Sequence, residues 1–192
     1  QLLKRHRRRQ AINGLLVAYS ASDLMTRSDA EFDGDVMAIR QRAAELNRHL
    51  GISLPVYLLV TKIDLVAGFR EYFDDLDAAG RRQVWGTTFA LEDSRTGRAL
   101  RTLPAEFDAL LERLNAGVNQ RLHDERDPRR RAMLFGFPQQ FAALKPRLLA
   151  LTSEAFEATR QDSRLFVRGV YFTSGTQEGT PVDRLLGSLG RA

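Results

Sequence analysis

The sequence predicts an α/β fold: a fragment of parallel sheet with a large helical insertion before its last strand. Three observations predict it. Two apolar runs, Ile12–Tyr19 (INGLLVAY) and Pro55–Val60 (PVYLLV), have the length and the β-branched and aromatic content of buried strands. A helix-period segment lies between them, as a βαβ crossover requires. A third run of the same kind, Leu165–Thr173 (LFVRGVYFT), follows about 100 residues that read as helical.

The first helix is predicted over Asp29–Leu50. Phe32, Val36, Ile39, Ala43, Leu46 and Leu50 recur every three or four residues and so share one face. Ser28 caps its start, Glu31 completes a capping box, and Gly51 supplies the left-handed stop. Pro55–Val60 is apolar on both faces, which suits a central parallel strand.

The insertion reads as a series of helices. Phe69–Leu76 and Arg81–Trp85 are short amphipathic pieces. Pro104–Glu125 is long, with Phe107, Leu110, Leu111, Leu114, Val118 and Leu122 as its buried stripe. Asp127-Pro128 breaks it, Arg129–Phe135 restarts a turn, and Phe137-Pro138 breaks the chain again. A last helix runs through Phe141, Leu144, Leu148, Leu151 and Phe156. After the third strand, Pro181–Leu189 reads as a short helix. In the FGFPQQF segment, Phe135, Phe137 and Phe141 either pack the insertion onto the sheet or form a patch for a partner; packing is the reading preferred here.

Length and composition fit one domain with a subdomain: 192 residues, 43% hydrophobic and 28% charged. The net charge of +5 is local. Lys4, Arg5, Arg7, Arg8 and Arg9 account for it, and the remainder balances at 24 bases against 24 acids. A nucleic-acid-binding domain would spread its bases over a face or groove, so no nucleic-acid partner is expected. The basic arm itself reads as a solvated charge run, with attachment to an anionic surface as its alternative. No apolar run approaches the roughly 20 residues of a membrane helix. Without cysteine there is no disulfide, thiolate site or cysteine nucleophile, and His6, His49 and His123 lack metal-ligand spacing. His49 and His123 read as solvated helix residues. No metal site is assigned.

One string carries chemistry. The strand Pro55–Val60 runs straight into Thr61-Lys62-Ile63-Asp64, which resembles the [N/T]KxD base-recognition motif of GTPases. A carboxylate at Asp64 accepts two parallel hydrogen bonds from the N–H edge of guanine, and adenine lacks that pair of donors. Lysine is scarce here, three residues against 26 arginines, which makes Lys62 conspicuous. Past the third strand, Thr173-Ser174-Gly175-Thr176 resembles the later GTPase loop whose backbone N–H groups approach the base. Thr61, Lys62, Asp64, Ser174 and Gly175 are therefore the candidate base contacts. The plain alternatives stand beside them: Asp64 caps the following turn, and Ser174-Gly175 is an ordinary strand-to-helix turn. No G-x-x-x-x-G-K-[ST] phosphate loop occurs, and no acid for magnesium ends the run Val17–Tyr19. No catalytic residue is assigned, this chain is not read as an enzyme, and no cofactor is expected in it.

The strings INGLLVAYS, PVYLLVTKIDLVAGFREYF, RRQVWGTTF, ERDPRRRAMLFGFPQQF and RGVYFTSGTQEGTPVDRLLG, in that order, resemble the IcmF/TssM family. These are inner-membrane core proteins of bacterial type VI secretion systems. The resemblance implies a partial P-loop-NTPase-like sheet in which the three strands match the last three of a G domain. The earlier strands and any phosphate loop would precede Gln1, in keeping with a chain that is processed or cut from something longer. It implies residues 1–66 and 165–192 as the α/β part and 67–164 as an inserted helical subdomain.

The resemblance also implies a cytoplasmic place beside the inner membrane, in a membrane-anchored parent. Its partners would be a DotU/TssL-type inner-membrane protein and baseplate components. The function read from it is a structural and interaction module. The alternative is a nucleotide switch or hydrolase, with GTP or ATP held by the longer parent. Half a sheet also leaves an unpaired edge along Ile12–Tyr19, so self-association is expected.

Overall fold

A computed structural model describes residues 12–50, 53–77, 79–80, 83–157 and 165–174. Four strands form one sheet in the order β1-β2-β4-β3: β1 (Leu15–Ser20), β2 (Leu54–Thr61), β3 (Trp85–Thr88) and β4 (Leu165–Phe172). β1 and β2 run parallel, from Leu15 opposite Val56 to Ser20 opposite Thr61. β2 and β4 are also parallel, with a register shift between Val56 and Tyr57 that leaves Arg168 as the extra residue of β4.

β3 corrects the expected all-parallel sheet. It pairs antiparallel with β4, Trp85 opposite Phe172, so the sheet is mixed. It also corrects the helical reading at Trp85. Four residues are too few to display a period, and only the partner strand makes them a strand.

The described helices are α1 (Ala21–Thr26), α2 (Asp29–Leu50), α3 (Phe69–Phe73), α4 (Leu91–Thr96), α5 (Arg98–Asp124), α6 (Pro128–Ala142) and α7 (Lys145–Thr152), followed by a π-helical turn at Ser153–Glu157. α2 has the predicted bounds, and its capping box is formed. Glu31 Oε2 accepts from the backbone N–H of Ser28 at 2.9 Å, and the Glu31 N–H donates to Ser28 Oγ at 3.4 Å.

Two prolines were misread as boundaries. Pro104 lies inside α5, which starts at Arg98 because Ala99 and Leu103 extend its buried stripe by two turns. Pro138 lies inside α6 and is buried with Phe137 and Phe141; the chain turns at Ala143 and Leu144 instead. Each proline removes one helical N–H bond, and the apolar burial around it outweighs that loss.

Tyr19, Val56, Leu58, Val60, Val167, Val170 and Phe172 point to one face of the sheet and belong to a single core with the helices. α2 meets this face where Phe32 packs edge-on against Tyr19. α5 and α6 meet it through an aromatic stack: Phe107 lies 4.7 Å from Phe141 at 6°, and Phe141 lies 4.9 Å from both Trp85 and Phe172. Phe135 is 61% exposed, whereas Phe137 and Phe141 are fully buried. The insertion therefore shares the core of the sheet.

Gly68 fixes how α3 docks. It has φ +85°, and a Cβ there would lie 2.3 Å from the Met133 carbonyl oxygen of α6. The expected stop at Gly51, the basic arm and the helix at Pro181–Leu189 lie outside the described residues.

Candidate functional site

The C-terminal ends of parallel strands are where open α/β sheets present loops to ligands. Here β2 ends at Thr61, and Lys62 follows in the left-handed region at φ 57° and ψ 34°. It is the only non-glycine residue with positive φ among the described residues. The turn then closes as a 3-10 helix over Ile63–Leu65. Lys62 is exposed and Asp64 is buried, with 7% of its surface accessible.

The loop after β4 lies against this turn. Ile63 donates its N–H to the Thr173 carbonyl at 3.2 Å, and Thr173 donates to the Val60 carbonyl at 2.8 Å. Thr61 Oγ1 donates to the Tyr19 carbonyl at 3.4 Å, which ties in the end of β1. The structure thus brings Thr61, Lys62 and Asp64 beside the Thr173-Ser174 segment. Ser174 is exposed, and Gly175 lies outside the described residues.

Two buried oxygens at this rim have no hydrogen-bond partner among the described residues: Asp64 Oδ1 and Ser20 Oγ. Burying an unsatisfied polar group is costly, so Asp64 does not behave as a turn cap through Oδ1. Ser20 was not singled out from the sequence. The signal was present in the register, because Ser20 ends β1 directly opposite Thr61. Nearby, Tyr19 donates its hydroxyl to Asp35 Oδ2 at 2.9 Å; burial, and then that carboxylate, push the Tyr19 pKa far above its ordinary value.

Among the described residues no cluster of three or more histidine, aspartate or glutamate side chains is placed to hold a metal ion. No described helix is long and apolar enough to cross a membrane.

The family model described as IcmF-related N-terminal domain matches residues 1–192, the whole chain. The chain belongs to the IcmF/TssM family. A curated relative, the type VI secretion system component TssM1 of Pseudomonas aeruginosa, is 47% identical over 192 residues. That match takes in 100% of this chain and 17% of the relative, so the chain spans about a sixth of the length of TssM1. No solved structure matches it. What the rim offers an IcmF/TssM chain is a buried acceptor, an exposed cation and two loops locked together, without a phosphate loop of its own.

Proposed function

We propose that this chain is a structural and interaction module of a type VI secretion system. In this reading it is part of the cytoplasmic region of an IcmF/TssM-like inner-membrane protein, and it links that protein to a DotU/TssL-type partner and to the baseplate. The observation that carries the reading is the edge of the sheet. Among the described residues β1 pairs only with β2, and its outer side is free to accept a strand. Leu16 on that strand is 67% exposed. Family membership and the relative's role support the same reading.

The test is Ala18→Pro, which removes an N–H from the edge strand, made in the full-length protein. Loss of co-purification with the DotU/TssL-type protein, with membrane insertion retained, supports the reading. Unchanged co-purification overturns an edge-mediated link. Self-association through the same edge predicts that the 192-residue chain dimerises in light scattering and that Ala18→Pro returns it to monomer.

A second reading, a nucleotide-binding domain whose phosphate loop lies elsewhere in the parent, is favoured by the unpartnered Asp64 Oδ1. Calorimetry with GTP and ATP separates the two. The expectation is no tight magnesium-dependent binding by this chain, with binding by the longer protein only if the switch reading holds. Tight binding by the 192-residue chain overturns the primary reading.

A further inference from the structure

The two parallel crossovers, β1 to β2 and β2 to β4, step across the sheet in the same direction. Right-handed crossovers that step the same way must deposit their helices on the same face. They do: Phe32 of α2, Phe107 of α5 and Phe141 of α6 all contact the face that carries Tyr19 and Phe172.

The opposite face carries Leu16, Ala18, Tyr57, Leu59 and Tyr171, alternating with the core positions along each strand. Leu16 is 67% exposed, Ala18 is exposed, and Tyr57, Leu59 and Tyr171 are half-buried. The Tyr57 and Tyr171 rings stack across it at 6.4 Å. Parallel sheets occur almost only with both faces covered. An apolar face on three parallel strands therefore needs an occupant.

Three longer segments lie outside the described residues: 1–11, 158–164 and 175–192. The first is dominated by Lys4, Arg5, Arg7, Arg8 and Arg9, and the second (ATRQDSR) is polar. The third contains Val182, Leu185, Leu186 and Leu189, spaced as i, i+3, i+4 and i+7, which is one apolar stripe of a helix. It follows β4 directly. The six residues 175–180 reach up to about 20 Å, and a nine-residue helix is about 13 Å long. Three adjacent strands span about 10 Å from first to third.

We propose that residues 181–189 form a helix that covers this open face, lying across β1, β2 and β4. Its arrival completes a sheet with helices on both sides. It leaves the edge of β1 as the apolar surface still free for another chain.

The absence of cysteine makes the test clean. Two pairs are introduced into the 192-residue chain, Ala18→Cys with Leu186→Cys and Leu59→Cys with Leu185→Cys, and treated with a short bifunctional maleimide at micromolar protein. A control pair joins Met37→Cys, 70% exposed on α2, to Leu186→Cys. Intrachain linkage about tenfold above the control is expected, because docking sets an effective concentration near millimolar. Linkage equal to the control, or linkage only between two chains, overturns the proposal.

A second measurement guards against misfolding. Leu185→Asp with Leu186→Asp is combined with a single cysteine at Ala18 or at Met37. Undocking is expected to raise the labelling rate at position 18 about tenfold and to leave position 37 unchanged. An unchanged rate at position 18 also overturns the proposal.

Discussion

Ile63 donates its backbone N–H to the carbonyl of Thr173 at 3.2 Å, so the turn that follows β2 and the segment that follows β4 are held as one rim. Asp64 is the next residue, buried, with Oδ1 unpartnered among the described residues. A carboxylate kept this way costs stability unless something else binds it. Asp64→Leu removes the unsatisfied acceptor and is expected to raise the unfolding free energy of the ligand-free chain by about 1 kcal/mol. Urea denaturation measures it. A loss of stability would mean that Asp64 is satisfied and serves the turn.

Lys62 tests the same rim through its backbone. At φ 57° a non-glycine residue carries a steric cost of about 1 kcal/mol. Lys62→Gly is therefore expected to raise the melting temperature, although it deletes a cation that the sequence uses only three times. A fall in melting temperature would show that the lysine side chain contributes more than its backbone costs.

The aromatic stack separates core from surface within a single heptapeptide. Phe141 lies 4.7 Å from Phe107 and 4.9 Å from Phe172, so Phe141→Ala is expected to cost about 3–5 kcal/mol. Phe135, 61% exposed on the same helix, should tolerate alanine within about 0.5 kcal/mol. Thermal melts of the two variants check the contrast.

This stack also marks what the sequence could and could not tell. Phe107, Leu110, Leu114 and Val118 announce α5 through their spacing, and Ser28 with Glu31 announces the start of α2, because periodicity and capping are local. β3 is not local: Trp85–Thr88 is a strand only because β4 lies beside it. Pro104 and Pro138 misled for the related reason that tertiary burial outweighs one lost helical hydrogen bond. At the rim, Thr61, Lys62 and Asp64 were legible as a string. Ser20 became legible only when the register set it opposite Thr61.

Glu31 predicts a pH dependence. Its pKa is lowered chiefly by the Ser28 backbone N–H and then by the Ser28 hydroxyl. A depressed folded-state pKa contributes stability that is present above the unfolded value and lost as pH falls through the folded value. Stability should therefore decline between about pH 5 and pH 2 as the cap protonates. Glu31→Gln should flatten that part of the acid limb while leaving the neutral-pH fold intact. Equal slopes for the two proteins in urea titrations across this range would remove the capping box from the acid response.

Arg147 makes the most distant of these ties. From α7 it donates to the carbonyl of Arg27 at 2.5 Å, pairs with Asp29 Oδ1 at 2.6 Å, and lies 5.3 Å over the Phe32 ring. The guanidinium thus closes the end of α1 and the start of α2 from more than a hundred residues away in sequence. A planar fork can bind a carbonyl and a carboxylate at once while stacking on a ring, whereas an ammonium cannot. Arg147→Ala is expected to cost about 2 kcal/mol, and Arg147→Lys should recover less than half of it. Full rescue by lysine in denaturant titrations would reduce the contact to simple charge.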